Sequence, residues 1–413
     1  MKIIFFILFL LTAIVVNAQT VLTIQGQTYL DTVTGTSYGV DVRKSVPTLL
    51  TFKNNSLTAY NTTGYILNAG DEGVDPKNNN LDNAVITGNK FNWIGTDMEC
   101  ITHGLFTGHN SNVLIKYNYL LNVPMGIIRK SSTNMSNTGG GVAYNIVKNG
   151  GVAVNIKGMS NVNVFNNTLY TNRTPTETFR PLVYIYTGSN NSVSHGTKIF
   201  NNIFYTKYQT FAITIYDTES LTGLQSDYNI FWCESGPPTF KVAGVVKSFA
   251  QWQAMGYDTH SVVMNPNFKD FVSFVPSTRL NYGISLDTMW RNGLSTTAVW
   301  GTTDPQTTAQ NGAWQVGAVV YAAPSGVESI KKSQNVSIYP NPARKFINVT
   351  SQKKSNEKQT IKIFDLLGNI CLEKQLEASE KNQIPIDLKS GLYIVQVKTG
   401  SSISGIQKLN VIE

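Results

Sequence analysis

The sequence has little charge and little histidine for its length. Only 14% of its 413 residues are Asp, Glu, Lys or Arg, and four are histidines, whereas about 25% charged residues is usual in globular domains. The net charge of +8 is uneven, because residues 326–413 contribute +5 and the rest of the chain +3. A nearly neutral body lacks the broad basic surface that nucleic-acid binding needs, so we expect no nucleic-acid partner.

Cysteine is also scarce. The three cysteines, Cys100, Cys233 and Cys371, are far apart and form no CxxC or other metal-like spacing. We expect buried free thiols. A disulfide between Cys100 and Cys233 stays open, because an oxidising compartment allows one.

Long apolar runs are missing except at the amino terminus. There Lys2 precedes an apolar run from Ile3 to Val16, and Val16-Asn17-Ala18 offers small residues for cleavage. The run is shorter than the roughly 20 residues of a membrane span. It predicts a secretory signal peptide over residues 1–18, so we expect an exported mature chain with no transmembrane span.

Helical periodicity is scarce as well, and a short recurring phrase takes its place. The phrase is an alternating apolar strand, an asparagine and another apolar pair. Its asparagines fall at Asn89, Asn118, Asn145, Asn167, Asn202 and Asn229, at intervals of 22–35 residues. Such intervals are typical of stacked repeats, in which a coil buries its apolar side only against its neighbours. The sequence therefore predicts an all-β parallel solenoid over residues 19–323, with the first coils and their cap in residues 20–82.

The asparagines are interpreted structurally rather than as ligands. Asparagine tolerates the left-handed backbone conformation and bonds nearby backbone, which suits a sharp corner after a strand. Stacked asparagines also form hydrogen-bonded ladders. We expect both roles here.

Each coil is expected to carry two main strands, the asparagine phrase and a second strand whose side chains alternate between core and solvent. The residues expected to face the core are Phe106, Ile128, Val154, Ile156, Val183, Ile185, Ile213 and Ile215. The residues expected to share one outward surface are His103, His109, Arg129, Asn155, Lys157, Tyr184, Tyr186, Thr214 and Tyr216.

The asparagine phrases resemble those of the right-handed parallel β-helix superfamily, the pectate-lyase-like fold, over roughly residues 20–323. The resemblance implies a right-handed parallel β-helix that binds a linear extracellular polysaccharide along one sheet and its flanking turns. Members are mostly polysaccharide lyases and glycoside hydrolases, and several lyases use calcium held by acidic residues, with Lys or Arg as the base. No run matches the catalytic motif of one enzyme family, so no catalytic role is transferred.

The outward set suits an acidic sugar chain, because aromatic rings stack on pyranoses and cations bind uronate carboxylates. The substrate-binding candidates are His109, Asn155, Tyr184, Tyr186 and Tyr216. For β-elimination, His103, His109, Lys130 or Lys157 would be the base and Arg129 would stabilise the anion. Calcium would be held by Asp97 and Glu99, with help from Asp71, Glu72 or Asp75.

Other interpretations stay open. The two histidines could be turn residues, Arg129 and Lys130 a solvated pair, and the tyrosines strand formers. Hydrolysis would need two carboxylates about 5–9.5 Å apart, for which Asp217 and Glu219 are candidates; a local turn explains Asp258 and His260.

We expect a protein that binds and cleaves an acidic polysaccharide, and a lyase is favoured because the candidate face is cationic and aromatic. Whether it is an enzyme stays open. The alternatives are a non-catalytic glycan-binding or adhesin-like surface solenoid and a glycoside hydrolase. We expect a monomer.

The remaining sequence predicts a short helix, a covering segment and a second domain. Residues 249–260 have helical spacing, and the segments 262–268 and 314–321 are expected to cover the last coil. Residues 324–335 have the composition of a linker. Residues 336–413 alternate strands and turns in the pattern of a small β-sandwich.

Three motifs in this last region are informative: Tyr339-Pro340-Asn341-Pro342, the turn from Asp365 to Asn369, and Ser390-Gly391-Leu392-Tyr393-Ile394-Val395. Together they resemble the C-terminal sorting domain of the type IX secretion system. The resemblance implies a Gram-negative source, contact with that secretion machinery, export across the outer membrane and removal of the domain, with surface attachment or release. A glycan-binding sandwich is the alternative.

Overall fold

The structure, a computed structural model, divides into two compact units, Met1–Ala323 and Pro324–Glu413. It describes residues 20–31, 38–59, 65–70, 80–94, 103–108, 110–131, 138–174, 181–188, 191–301, 303–322, 336–351, 359–366, 368–376, 381–399 and 402–412. The proposed signal peptide and linker lie outside these residues. Within the described ranges, no helix has the length and apolar character needed to cross a membrane.

The first unit is built almost entirely of short strands. They are β1 (Thr20–Gln25), β2 (Thr28–Asp31), β3 (Tyr38–Asp41), β4 (Thr48–Lys53), β5 (Ser56–Ala59), β6 (Tyr65–Asn68), β7 (Val85–Thr87), β8 (Lys90–Trp93), β9 (His103–Gly108), β10 (Leu114–Lys116), β11 (Tyr119–Leu121), β12 (Met125–Lys130), β13 (Gly141–Ala143), β14 (Ile146–Lys148), β15 (Val152–Lys157), β16 (Asn163–Phe165), β17 (Thr168–Thr171), β18 (Val183–Tyr186), β19 (Lys198–Phe200), β20 (Ile203–Thr206), β21 (Phe211–Ile215), β22 (Gln225–Asp227), β23 (Ile230–Cys233), β24 (Thr239–Val242), β25 (Val245–Ser248), β26 (Val262–Val263), β27 (Asn292–Leu294) and β28 (Thr307–Ala309). The helix α1 spans Phe249–Gln253, and two 3₁₀ turns span Glu219–Leu221 and Thr288–Trp290.

The strands β1 to β24 wind into eight coils of three strands each, and the coils stack into three parallel sheets. Sheet A has the order β1-β4-β7-β10-β13-β16-β19-β22, sheet B the order β2-β5-β8-β11-β14-β17-β20-β23-β26, and sheet C the order β25-β24-β21-β18-β15-β12-β9-β6-β3. The predicted parallel β-helix is therefore confirmed. The expectation of two main strands per coil is wrong, because the asparagine phrase bends at its asparagine and supplies one strand to sheet A and one to sheet B.

The core lies inside the coils, where each sheet contributes a column of stacked apolar side chains. These columns are Phe52, Ile86, Ile115, Val142, Val164 and Ile199 in sheet A, Leu57, Phe91, Leu120, Val147, Leu169, Phe204 and Phe231 in sheet B, and Leu67, Ile127, Val154, Val183 and Ile213 in sheet C. Every one of them is at most 1% exposed. One coil cannot bury these residues alone, so stacking is what makes the unit stable.

A ladder of buried asparagines runs along the corner between sheets A and B. It consists of Asn55, Asn89, Asn118, Asn145, Asn167, Asn202 and Asn229. At every step the side-chain oxygen of one asparagine accepts hydrogen bonds of 2.8–3.1 Å from the backbone N–H and the amide of the preceding one. The ladder satisfies the backbone groups that a sharp buried corner would otherwise leave unpaired, which confirms the predicted ladder.

The left-handed backbone conformation lies one residue earlier than we expected. The ladder asparagines do not adopt it; their preceding residues do, namely Asn54, Gly88, Tyr117, Tyr144, Asn166, Asn201 and Tyr228, with φ between 52° and 68°. Each corner therefore uses two consecutive residues with different structural roles. The first one turns the chain and presents its side chain outward, and the asparagine after it fills the interior.

The ladder ends at a buried carboxylate under the last coil. Asp258 accepts hydrogen bonds from Asn229 (2.8 Å), Ser226 (2.6 Å), Ser261 (2.6 Å) and the indole of Trp252 (2.7 Å). Burial raises the pKa of this carboxyl, although the four hydrogen bonds oppose the shift. Trp252 lies on α1, so the predicted short helix is confirmed and closes the end of the core.

Residues 264–301 and 303–322, here called the strap, run back over the outside of the coils. The outward residues of the left-handed corners anchor it. Tyr117 Oη donates to Asn292 O (2.6 Å), Tyr144 Oη to Trp290 O (2.5 Å), Asn166 Nδ2 to Gln315 O (2.8 Å), Asn201 Nδ2 to Ile284 O (2.9 Å) and Asn54 Nδ2 to Asp304 Oδ1 (2.6 Å). The segment was expected to cover the last coil, and it instead covers most of the length of sheets A and B.

Apolar packing reinforces these anchors. Under the strap, the outer face of sheet B packs Tyr119, Tyr170 and Tyr205 against strap aromatics, and the outer face of sheet A packs Phe165 against Trp290 with ring centroids 5.4 Å apart. Trp290 lies so close to Gly141 that a Cβ there would come within 2.2 Å of the indole ring. Glycine is therefore required at that position.

Lys116 is the buried charge beneath the strap. Its Nζ donates to Met289 O (3.1 Å) and lies 4.8 Å from the ring centroid of Tyr117 and 5.5 Å from that of Trp290. Only 8% of the residue is exposed, and burial lowers its pKa to about 8. The rings offset part of the cost of burying the ammonium group.

This pKa predicts that stability rises with pH. Between pH 8 and 10.5 the unfolded chain holds the Lys116 proton more tightly than the folded one, so the free energy of unfolding should grow by about 3 kcal/mol across that window. Above about pH 10.5 it should fall again, because burial raises the pKa of Tyr117 to about 12 and the unfolded chain loses this phenol proton first. Urea unfolding at several pH values measures this. Lys116→Met should abolish the rise, and Lys198→Met, at an exposed lysine of sheet A, should leave it intact.

The second unit is a sandwich of two antiparallel sheets around one core. Its strands are β29 (Val336–Tyr339), β30 (Phe346–Ser351), β31 (Gln359–Phe364), β32 (Ile370–Leu376), β33 (Lys381–Pro385), β34 (Gly391–Thr399) and β35 (Ser402–Val411). The sheets have the orders β29-β30-β33 and β32-β31-β34-β35, and they share buried residues such as Ile347, Ile361 and Val395. The predicted small β domain is confirmed.

Two cysteines are described, and both carry free thiols. Cys233 is buried and Cys371 is exposed. The expectation of a buried thiol therefore holds for Cys233 and is wrong for Cys371. Cys100 lies outside the described residues.

Candidate functional site

The outer face of sheet C is where the sequence placed the candidate site. The strap directs its hydrogen bonds and its apolar clusters, within the described ranges, to sheets A and B. Sheet C instead carries tyrosines and lysines on its outer side. We therefore describe this face residue by residue.

Arg129 is the clearest correction. It was expected to face outward, but it is 0% exposed and pairs in register with Ile156, a core residue of the next coil. Its Nη2 donates to the carbonyl oxygens of Asn110 (3.0 Å) and Gly139 (3.3 Å), and burial lowers its pKa to about 10, against the attraction of Asp82. The Arg129 side chain therefore lies inside the solenoid, where it hydrogen-bonds two backbone carbonyls, and its expected outward orientation is wrong.

The assignment of Ile128 to the core is wrong for the same reason. Strand register pairs Ile128 with Asn155, and Asn155 with Tyr184, in one outward column. Ile128 packs there with Tyr65 and Met125. The expectation took Ile128 as an inward residue, which displaces the alternation of β12 by one position. Such a displacement exchanges the inward and outward side chains of the strand.

Two columns of outward residues define the face. The first contains Lys130, Lys157 and Tyr186 on adjacent strands, and the second contains Asn155, Tyr184 and Thr214. Neighbouring strands lie about 4.8 Å apart, so residues far apart in sequence become immediate neighbours. In these two columns the structure thus brings together six of the expected residues: Lys130, Lys157, Asn155, Tyr184, Tyr186 and Thr214.

Three tyrosines, here called the tyrosine cluster, form the centre of the face: Tyr184, Tyr186 and Tyr216. The rings of Tyr184 and Tyr186 are stacked with centroids 4.5 Å apart, and Tyr216 stands edge-on to Tyr184 at 6.2 Å. The side chains differ in access, because Tyr184 is 7% exposed whereas Tyr216 is 58% exposed. A ligand would therefore meet Tyr216 and the half-buried Tyr186 before Tyr184.

A cation and an amide adjoin the cluster. Lys157 Nζ lies 5.3 Å from the ring centroid of Tyr186. Asn155, which is 2% exposed, points its Nδ2 at Met125 Sδ (3.2 Å) and at Tyr186 Oη (3.5 Å). Burial, followed by the neighbouring Tyr186 and Tyr216, raises the pKa of Tyr184, so its phenol is a weaker acid than that of an exposed tyrosine.

Asp217, one of the two carboxylates considered for hydrolysis, already has a structural role. Asp217 accepts hydrogen bonds from Thr187 N (2.7 Å) and Ser220 Oγ (2.7 Å). Burial would raise the pKa of Asp217, but these hydrogen bonds outweigh it and the pKa is lowered, which is unfavourable for a general acid.

His260 stacks on Tyr228 with centroids 4.8 Å apart and bonds Asp227 through Nδ1 (2.6 Å), away from the buried Asp258.

Several candidates are not described. His109, Asp97 and Glu99 lie outside the described residues, as do Asp71, Glu72 and Asp75, and the structure gives only the backbone of His103, in β9. Within the described ranges, no three His, Cys, Asp or Glu residues come together as a metal site. The calcium site and the roles of these residues stay predictions.

Met125 and the strap are the features that sequence reasoning missed. Met125 packs beside Asn155 at the start of β12, and no polar pattern marked it. The corner residues were a possible signal for the strap. Tyrosine is unusual in the left-handed conformation, so a tyrosine at such a corner indicates that its side chain has a partner outside the coil.

The fold and the second unit together define an exported β-solenoid with a carboxy-terminal sorting module. Residues 337–412 match the family model of the Secretion system C-terminal sorting domain. The protein is therefore delivered by type IX secretion to the cell surface or the extracellular space. No curated protein matches the chain significantly.

Proposed function

We propose that the solenoid binds an acidic extracellular polysaccharide on the outer face of sheet C. The observation that carries the proposal is the position of Lys157 Nζ, 5.3 Å from the Tyr186 ring centroid beside the tyrosine cluster. A ring and an ammonium group at this spacing suit a uronate, whose apolar sugar face stacks on the ring while its carboxylate meets the cation.

The stacking of coils extends this arrangement along the solenoid axis. Lys130 lies one strand before Lys157 in the same column, and Tyr216 lies one strand after Tyr186. Two cations are therefore followed by two rings along the axis, with the strand spacing of about 4.8 Å. A linear polymer with repeating carboxylates fits such a surface better than a small compact ligand does.

Binding has better support than cleavage. β-Elimination needs a base and a group that stabilises the anion formed after proton removal. Arg129, the expected stabiliser, faces the core, so Lys130 and Lys157 would have to share both roles. Lyase activity is the second candidate because these two lysines are register neighbours.

The proposal predicts a large loss of affinity in Lys157→Ala. Removing one charge-assisted contact should raise the Kd for polygalacturonate roughly tenfold without changing affinity for neutral dextran. Isothermal titration calorimetry on the purified full chain measures both, and ultraviolet absorbance of the mixture reports any unsaturated product.

Lys269→Ala is the matched control, because Lys269 Nζ lies 5.6 Å from the ring centroid of Tyr321 on the strap, away from the proposed face. It should bind polygalacturonate like the parent protein. Equal affinities of the parent and Lys157→Ala would refute the proposed site, and ultraviolet product formed by the parent but not by Lys157→Ala would establish the lyase reading.

A further inference from the structure

The second unit carries an open groove of about 830 Å³. It lies where the chain enters β30, where it leaves β33 and where it leaves β35. Residues 344–346, 386–390 and 412 form its walls. All of them lie within the residues that match the sorting-domain family.

Backbone hydrogen bonds hold these three segments together. Ile386 N donates to Lys345 O (2.9 Å), and Ile412 N donates to Ala343 O (2.8 Å). Tyr393 Oη donates to Lys389 O (2.9 Å) at the far wall. The shape of the groove is therefore set by the backbone rather than by long side chains. Ligand binding would then cost little conformational entropy for ordering the groove.

The groove combines apolar and cationic surface. Phe346 is 42% and Ile412 is 37% exposed, and both line the groove. Lys345 and Lys389 are exposed beside them, and within the described ranges neither forms an ion pair. Asp387 is the one acidic residue of the walls.

We propose that this groove is the surface through which the sorting domain binds an acidic protein segment of the secretion machinery that carries apolar anchors. The apolar floor would receive the anchors, and the cationic rim would attract the acidic residues and orient the segment. A membrane or lipopolysaccharide surface is less suited, because anionic headgroups need positive charge but no preformed apolar groove.

The test reverses the rim charge in the full chain. In a bacterium with type IX secretion, Lys345→Glu combined with Lys389→Glu should lower the exported fraction roughly tenfold, because like charges would face each other across the interface. The matched control is Lys374→Glu combined with Lys408→Glu, which changes the net charge equally on exposed positions of β32 and β35. The control should be exported normally.

Further measurements keep the outcomes separate. Thermal unfolding of the purified proteins should be unchanged in both double variants, and Phe346→Ala should also reduce export without changing charge. Normal export of the groove variant, or equal loss in the control, would overturn the proposal. So would binding of the parent chain to phosphatidylglycerol vesicles that only the groove variant loses, because that result would assign the groove to lipid.

Discussion

Asn145→Ala is expected to lower the free energy of unfolding of the solenoid by about 3–5 kcal/mol. Asn145 stands in the middle of the ladder, where its oxygen accepts from the backbone N–H and the amide of Asn118, both at 2.9 Å. Its own amide donates to Asn167 Oδ1, Ile115 O and Ala143 O at 2.9–3.1 Å. Truncation removes these five hydrogen bonds and takes away the acceptor of the buried Asn118 backbone N–H. Chemical unfolding followed by circular dichroism measures the loss.

Asn163→Ala supplies the comparison, because Asn163 is half-buried on β16 and makes one side-chain hydrogen bond, to Gly140 O at 3.3 Å. Its loss should cost less than about 1 kcal/mol. If the two variants unfolded at the same denaturant concentration, the ladder would not be a principal source of stability.

Asp258→Ala should cost about 3 kcal/mol or more. Asp258 is fully buried and accepts four hydrogen bonds, so its removal leaves the buried donors of Ser226, Trp252 and Ser261 without their acceptor at the end of the core. Loss of this acceptor should also loosen α1. Tryptophan fluorescence, to which Trp252 contributes as one of six tryptophans, reports both effects during urea unfolding, with an earlier midpoint and a shifted spectrum in the folded baseline.

Asp270→Ala isolates the effect of burial. Asp270 accepts hydrogen bonds from Val272 N (2.8 Å) and Ser273 N (2.6 Å) but is exposed to solvent. Water can replace the lost acceptor there, so the change should stay below about 1 kcal/mol. A parent-like midpoint for Asp258→Ala would show that the core end does not depend on the carboxylate.

The sequence was sufficient to predict the coils and their asparagine ladder, although not the third strand of each coil. Asparagine phrases predicted the coils and the ladder because a buried corner can be satisfied by few residues other than asparagine, which combines an acceptor with a donor on a short side chain. The sorting domain was equally accessible, since three separate motifs identified it. Both signals are local, because each motif can be recognised from its own residues without knowing what they contact in the fold.

The candidate face was harder because it depends on register. Tyr184, Tyr186, Asn155 and Lys157 were placed together correctly, since each lies on a strand with clear apolar alternation. Arg129 was misplaced because β12 reads Gly-Ile-Ile-Arg-Lys, and its two adjacent isoleucines allow either alternation. Only contact with the neighbouring coils selects between them, and that information is not local.

The strap has a consequence for how such a chain can change over generations. Repeat proteins commonly lengthen or shorten by whole units, because each unit touches only its neighbours. Here anchors from Asn54 to Asn201 each meet a fixed position on a single returning segment. One duplicated turn would displace every later anchor by about 4.8 Å. The strap therefore fixes the number of turns. Duplication or loss of a turn would require a matching change in the length of the strap.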